Sequence, residues 1–128
     1  MPARVSFSYA IIRVVPRVDR EEFLNVGIVL HCPARAFLGA RIVVDHARLT
    51  HAFPAVDLGS VTRHLALFEA ICAADPAAGP LAALPLSERF HWMVAPRSTI
   101  VQPSSVHAGL TEDPAATLTH LAATVVSA

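Results

Sequence analysis

Apolar and polar positions alternate from Arg4 to Val15: Val5, Phe7, Tyr9, Ile11 and Val15 fall on one side, Ser6, Ser8 and Ala10 on the other. A period of two is that of a half-buried β-strand, and Pro16 ends its regular pairing. From Glu22 to His31 the alternation returns, with Leu24, Val26, Ile28 and Leu30 on one side and Phe23, Asn25, Gly27, Val29 and His31 on the other. After the turn-like residues 31–35, Leu38, Ala40, Ile42 and Val44 alternate with Gly39, Arg41 and Asp45. The second and third strands form an antiparallel hairpin on this reading.

The period then changes. Leu58, Val61, Leu65, Phe68 and Cys72 recur at three- and four-residue spacing, an amphipathic helix capped by Ser60 or Asp57 and finished before Pro76. Residues 75–85 hold three prolines and Gly79, so they read as a loop with at most one short turn. Asp113 as cap, Pro114 in the first turn and the stripe Leu118, Leu121, Ala122 and Val125 predict a C-terminal helix. Between the helices, alternation of Phe90, Trp92 and Val94 favours a strand. The competing reading is a helix capped by Ser87, with Glu88 and Arg89 in its first turn. Thr99 to Gln102 suits a short strand, and Pro96 and Pro103 interrupt pairing. The order predicts an α+β fold: a mostly antiparallel sheet with two main helices packed on one face, in a single domain spanning residues 1–128.

Composition narrows the function classes. The 128 residues are 54% hydrophobic and 16% charged, with a mean hydropathy of +0.51, which excludes a disordered chain. Uncharged runs such as Phe23 to Ala34 carry Asn25 and Pro33 and fall short of the ~20 apolar residues of a membrane span. Met1 to Arg20 has no secretory pattern, so the expected compartment is the cytoplasm. Ten basic residues balance ten acidic ones, which disfavours nucleic-acid binding. All ten are arginine, and this excludes lysine Schiff bases and lysine phosphate loops. Cys32 and Cys72 are expected to be reduced thiols.

Catalytic signatures with cysteine pairs, paired histidines or glycine-rich loops are absent from the sequence. His46 and His51 have a zinc-like separation but lack a second cysteine pair, so neither metal nor cofactor is expected. Ser98, Ser104 and Ser105 with His91 and His107 supply the residue types of acyl transfer without a nucleophile elbow. Residues 95–109 are dense in hydrogen-bonding side chains and low in charge. Arg97 is suited to a two-pronged grip on phosphate or carboxylate, Ser98, Thr99 and Gln102 to further hydrogen bonds, and His107 to a switchable one. The competing reading pairs Arg97 with Glu88 or Asp113 and spends the hydroxyls on loop backbone. Arg13 lies on the apolar side of the first strand and must be paired or reach the sheet edge. Asn25, two residues before Gly27, marks a place where another backbone or a ligand approaches closely.

Three blocks of the chain carry a resemblance: residues 9–16 (Tyr-Ala-Ile-Ile-Arg-Val-Val-Pro), residues 22–30 (Glu-Phe-Leu-Asn-Val-Gly-Ile-Val-Leu), and residues 89–110, from Arg-Phe-His-Trp through Pro-Arg-Ser-Thr to Val-His-Ala-Gly-Leu. In this order they resemble a small bacterial family known as domain of unknown function 3037. The resemblance implies no reaction and no catalytic residues. It does imply a protein partner, because members are often encoded beside a kinase-like protein of the HipA toxin type. The expectation is therefore an accessory module that recognises a protein partner through Arg13, Asn25, Arg97, Ser98, Thr99, Gln102 and His107. The alternatives are a metal-independent hydrolase or RNase-like enzyme using His107 or His91 with Arg97, and a sensor of a small anionic ligand or nucleotide. Oligomeric state is left open.

Overall fold

A computed structural model describes residues 3–127; Met1, Pro2 and Ala128 of the expected single-domain span lie outside the described residues. Strands β1 (Val5–Val14), β2 (Leu24–Cys32) and β3 (Phe37–Ile42) follow the alternating segments. Short helix α1 (His46–Ala52) and long helix α2 (Leu58–Ala73) come next, then helix α3 (Leu86–Val94). Strands β4 (Val101–Pro103) and β5 (His107–Thr111) precede α4 (Pro114–Leu121), which continues as a π-helical turn to Val126. The class is α+β. All strand pairs are antiparallel, in the order β3-β2-β1-β4, and β5 also pairs with β1. No single helix is long and apolar enough to cross a membrane among the described residues.

Both α2 and α4 start as their sequences direct: Asp57 accepts from the Ser60 amide, and Asp113 from the Ala116 amide ahead of Pro114. The helices nevertheless divide between the two faces of the sheet, where the sequence reading put both main ones on one. Val61, Leu65, Phe68 and Ile71 of α2 and Phe90 and Met93 of α3 pack with Ala10, Ile12, Val14 and Val29. Leu118, Ala122 and Val126 pack on the opposite side with Phe7, Ile28, Leu30 and Cys32. The reason lies in β2, buried on both faces from Val26 to Cys32, so that each face needs its own cover.

A second correction concerns Phe90–Val94, read as a strand and found in α3. Phe90 and Met93, three residues apart, are the positions buried against the sheet, and that is helical spacing. Ser87 is not its cap: Pro85 holds that position without a side-chain bond. One further helix, α1, lies where the pattern only broke; Asp45 caps it by accepting from the Arg48 amide, and it buries Leu49.

Arg89 joins α3 to α2. Its side chain is 7% exposed, and its guanidinium donates to the carbonyls of Ile71 and Cys72 at 2.9 Å and of Leu84 at 3.0 Å. Two of these carbonyls lie in the last turn of α2, where intrahelical donors run out; the Ile71 oxygen receives in addition the Ala74 amide at 3.3 Å. Arg89→Ala leaves three carbonyls without this donor and is expected to cost about 2–4 kcal/mol in urea unfolding. Arg89→Lys cannot reach all three and should recover only part of the loss.

Candidate functional site

Register creates the site. At Ile12/Arg13 the β1–β2 ladder slips by one residue, so Ile12 lies opposite Gly27 while Arg13 lies opposite Asn25. On its other side Arg13 lies opposite Gln102 of β4. Directly paired residues project to the same face. Asn25, Arg13 and Gln102 therefore form a polar row across three strands.

Neighbours complete it only in part. The Arg13 guanidinium stands 4.0 Å from the centroid of the Phe23 ring, a cation–π contact. Among the described residues, its buried Nε has no hydrogen-bond partner, and neither has Asn25 Oδ1. Asn25 Nδ2 makes a long contact to the Val125 carbonyl at 3.5 Å, and Gln102 Nε2 donates to the Thr99 carbonyl at 2.8 Å. The ion pairs found among the described residues are Arg17–Asp19 and Arg20–Glu22, both exposed, so Arg13 lacks one. Beside it opens a hollow of about 390 Å³ lined by Arg13, Gln102, Ser98 and Glu21 and by the apolar Val15, Val18 and Phe23. Phe23 is 45% exposed and Val18 43%. A slightly larger hollow, about 410 Å³, lies between residues 16–22 and the α1–α2 connection. It is lined mainly by apolar groups, and its Arg17 and Arg20 are already engaged by Asp19 and Glu22, so it offers less chemistry.

Four of the residues expected to bind thus meet: Arg13, Gln102 and Ser98 line the hollow, with Asn25 in the same row. Three do not. Arg97 lies on the α2 side of the sheet, 4.5 Å from the Trp92 ring centroid and 5.3 Å from that of Phe68. It donates to the carbonyls of Ala95 and Trp92 at the end of α3 and pairs with neither Glu88 nor Asp113; burial pulls its pKa below the usual arginine value. Thr99 spends its hydroxyl on the Val101 carbonyl at 2.7 Å. His107 lies opposite Tyr9 in register with ring centroids 5.2 Å apart, four residues or roughly 13 Å along β1 from Arg13. Of the two pairs in the hydrolase reading, His107 with Arg97 is thus separated by the sheet.

Ser104, another serine of that segment, accepts from the Ile11 amide and donates to the Ser105 carbonyl. The one serine–histidine contact among the described hydrogen bonds, Ser60 with His64, is local to α2. Phe23, Val18 and Glu21 belong to the hollow and were missed from the sequence. Phe23, two residues before the anomalous Asn25 and on the same side of the strand in the alternation, was the available signal.

Fold and site together define a small α+β sheet domain with a polar hollow on its central strand. Over residues 9–126 the chain matches the family model described as "Protein of unknown function (DUF3037)", and it belongs to that family. No curated protein and no solved structure matches it.

Away from the hollow, His31 is 7% exposed, with its ring 5.1 Å from that of Phe90. Burial, reinforced by the charge of His91, pushes its pKa below the ordinary histidine value. The unfolded chain therefore takes up this proton first as pH falls. His31 stabilises the fold fully above the unfolded pKa of about 6.5, and that contribution is lost progressively as pH falls through it. His31→Gln is expected to shrink the difference in urea midpoint between about pH 7.5 and about pH 5.5.

Proposed function

We propose that this chain is an accessory binding module of the bacterial cytoplasm, and that its hollow receives an acidic group from a protein partner. The observation that carries this reading is the Arg13 guanidinium: among the described residues its buried Nε has no partner and it makes no ion pair, and an aromatic ring lies on one face. A cation left so on an apolar sheet is costly alone. A carboxylate entering the hollow supplies the missing acceptor, with Gln102 and Ser98 as further polar contacts. Phe23 and Val18 are exposed apolar anchors of the kind that carries binding energy at interface centres. A kinase-like protein of the HipA toxin type is the partner that the family resemblance suggests.

A small anionic ligand in the same place is a second reading, favoured by the hollow's volume of about 390 Å³, which falls in the range of ligand clefts. The two separate by titration. Calorimetry with the purified kinase-like neighbour is expected to show binding that Arg13→Ala and Phe23→Ala each weaken at least about tenfold. Leu67→Ala, an exposed apolar change on α2, should leave it unaltered. Equal affinity in the Arg13 and Phe23 variants overturns the proposal. Melting-temperature protection by inorganic phosphate or citrate, lost in Arg13→Ala and seen without any partner binding, replaces it with the ligand reading.

A further inference from the structure

We propose that β5 is a docking edge for a second copy of this chain, joining two sheets through antiparallel β5–β5 pairing. The direction of its backbone groups follows from the ladder. The Val15 amide donates to the Ile100 carbonyl and the Ser104 amide to the Ile11 carbonyl, so the odd-numbered residues of β1 face β4 and β5. Their β5 partners His107, Gly109 and Thr111 are turned inward. Ala108 and Leu110 therefore point their amides and carbonyls outward, along an edge on which no further strand pairs among the described residues.

The neighbouring edges are closed by local devices. In β4 the outward residues are Val101 and Pro103; the Val101 carbonyl is taken by the Thr99 hydroxyl and Pro103 has no amide hydrogen. In β3 the outward residues include Leu38, whose carbonyl receives the Cys72 thiol at 3.6 Å, so α2 lies against that edge. β5 has neither device. It also lacks the charges that usually guard an open edge: no arginine, aspartate or glutamate occurs from Ser98 to Thr111. Instead Leu110 is 58% exposed, and Val106, just before the strand, 47%.

An uncharged edge is what self-pairing requires, because a twofold axis sets each segment against its own copy. With the axis at Gly109, Ala108 of one copy faces Leu110 of the other, and both exchange amide–carbonyl bonds. Glu112 is then carried to opposite ends of the join and meets Val106 rather than another carboxylate. Gly109 meets itself as a non-hydrogen-bonded pair, where backbones approach most closely.

Light scattering on the full chain should give twice its 13.6 kDa mass. Leu110→Lys and Ala108→Pro, the latter removing only an outward amide, should each raise the dimer dissociation constant at least about tenfold. Circular dichroism checks their fold, and Leu110→Lys carries the test if the proline variant does not fold. In the dimer, the Ala108 and Leu110 amides should exchange slowly, and faster on dilution. A single-chain mass at the highest soluble concentration overturns the inference, as does a doubled mass with both amides exchanging freely. Arg13→Ala should leave the mass doubled, so failure here and failure of the partner reading are distinguishable.

Discussion

β1 is hydrogen-bonded along both of its sides, and almost every other element is placed by that requirement. One side is satisfied by β2 from Ser8 to Val14, across the one-residue slip at Ile12/Arg13. The other is satisfied by two short segments, β4 and β5, that together make one interrupted strand. Ser104 bridges the interruption: its own amide donates to the Ile11 carbonyl, and its hydroxyl, in place of a carbonyl, accepts from the Ile11 amide. Without that substitution a buried donor of the central strand would stand unpaired, which costs about 1–3 kcal/mol. A segment rich in hydroxyls is thus partly a backbone device, and it can tolerate Pro103 because that residue's missing amide hydrogen faces outward.

The same strand explains why the site is polar. Ala10, Ile12 and Val14 meet α2 and α3 on one face, and the other face is covered over β2 and β3 by α4 and its π-helical extension. At the far end of β1 that second face opens beside Arg13 into the hollow. Arg13 can lie there among apolar neighbours because Phe23 receives its charge and the hollow keeps one flank open. Covering that end with another helix would have required a buried partner for the guanidinium.

Much of this was legible in the sequence because two periods are easy to separate. β1, β2 and β3 alternate over six to ten residues, and α2 and α4 carry both an apolar stripe and a capping aspartate. α3 was not legible: in a nine-residue helix, Phe90, Trp92 and Val94 imitate a strand, and only the burial of Phe90 with Met93 distinguishes the two. The two-sided covering of the sheet follows from contacts far apart in the chain, although the unbroken burial of Val26 to Cys32 is its local trace. At the site, Arg13 and Asn25 stand out as polar residues in apolar strands, but their meeting depends on a one-residue slip that no period reveals. Arg97 misleads for the opposite reason: its chemistry suits an anion, yet the free carbonyls at the end of α3 and the rings of Trp92 and Phe68 are nearer claimants.

The hollow and the open edge do not compete, because they use the sheet in different directions. Strand addition at β5 consumes backbone groups lying in the plane of the sheet, whereas the hollow opens from its face. An antiparallel join has its twofold axis perpendicular to the sheet, so both copies of Arg13 are presented on the same side. Arg13 lies six residues along β1 from Phe7, the partner of Gly109, a distance of roughly 20 Å. A twofold at Gly109 therefore sets the two hollows roughly 40 Å apart and facing one way. Under the proposed partner and dimer together, a twofold-symmetric partner would engage both hollows, and its second contact would form as an intramolecular step with no new residues. On this geometry, the two proposals would serve one arrangement: pairing at an edge without the usual guards would set two unpaired guanidinium groups on one side, where a double contact would bind more firmly than a single one.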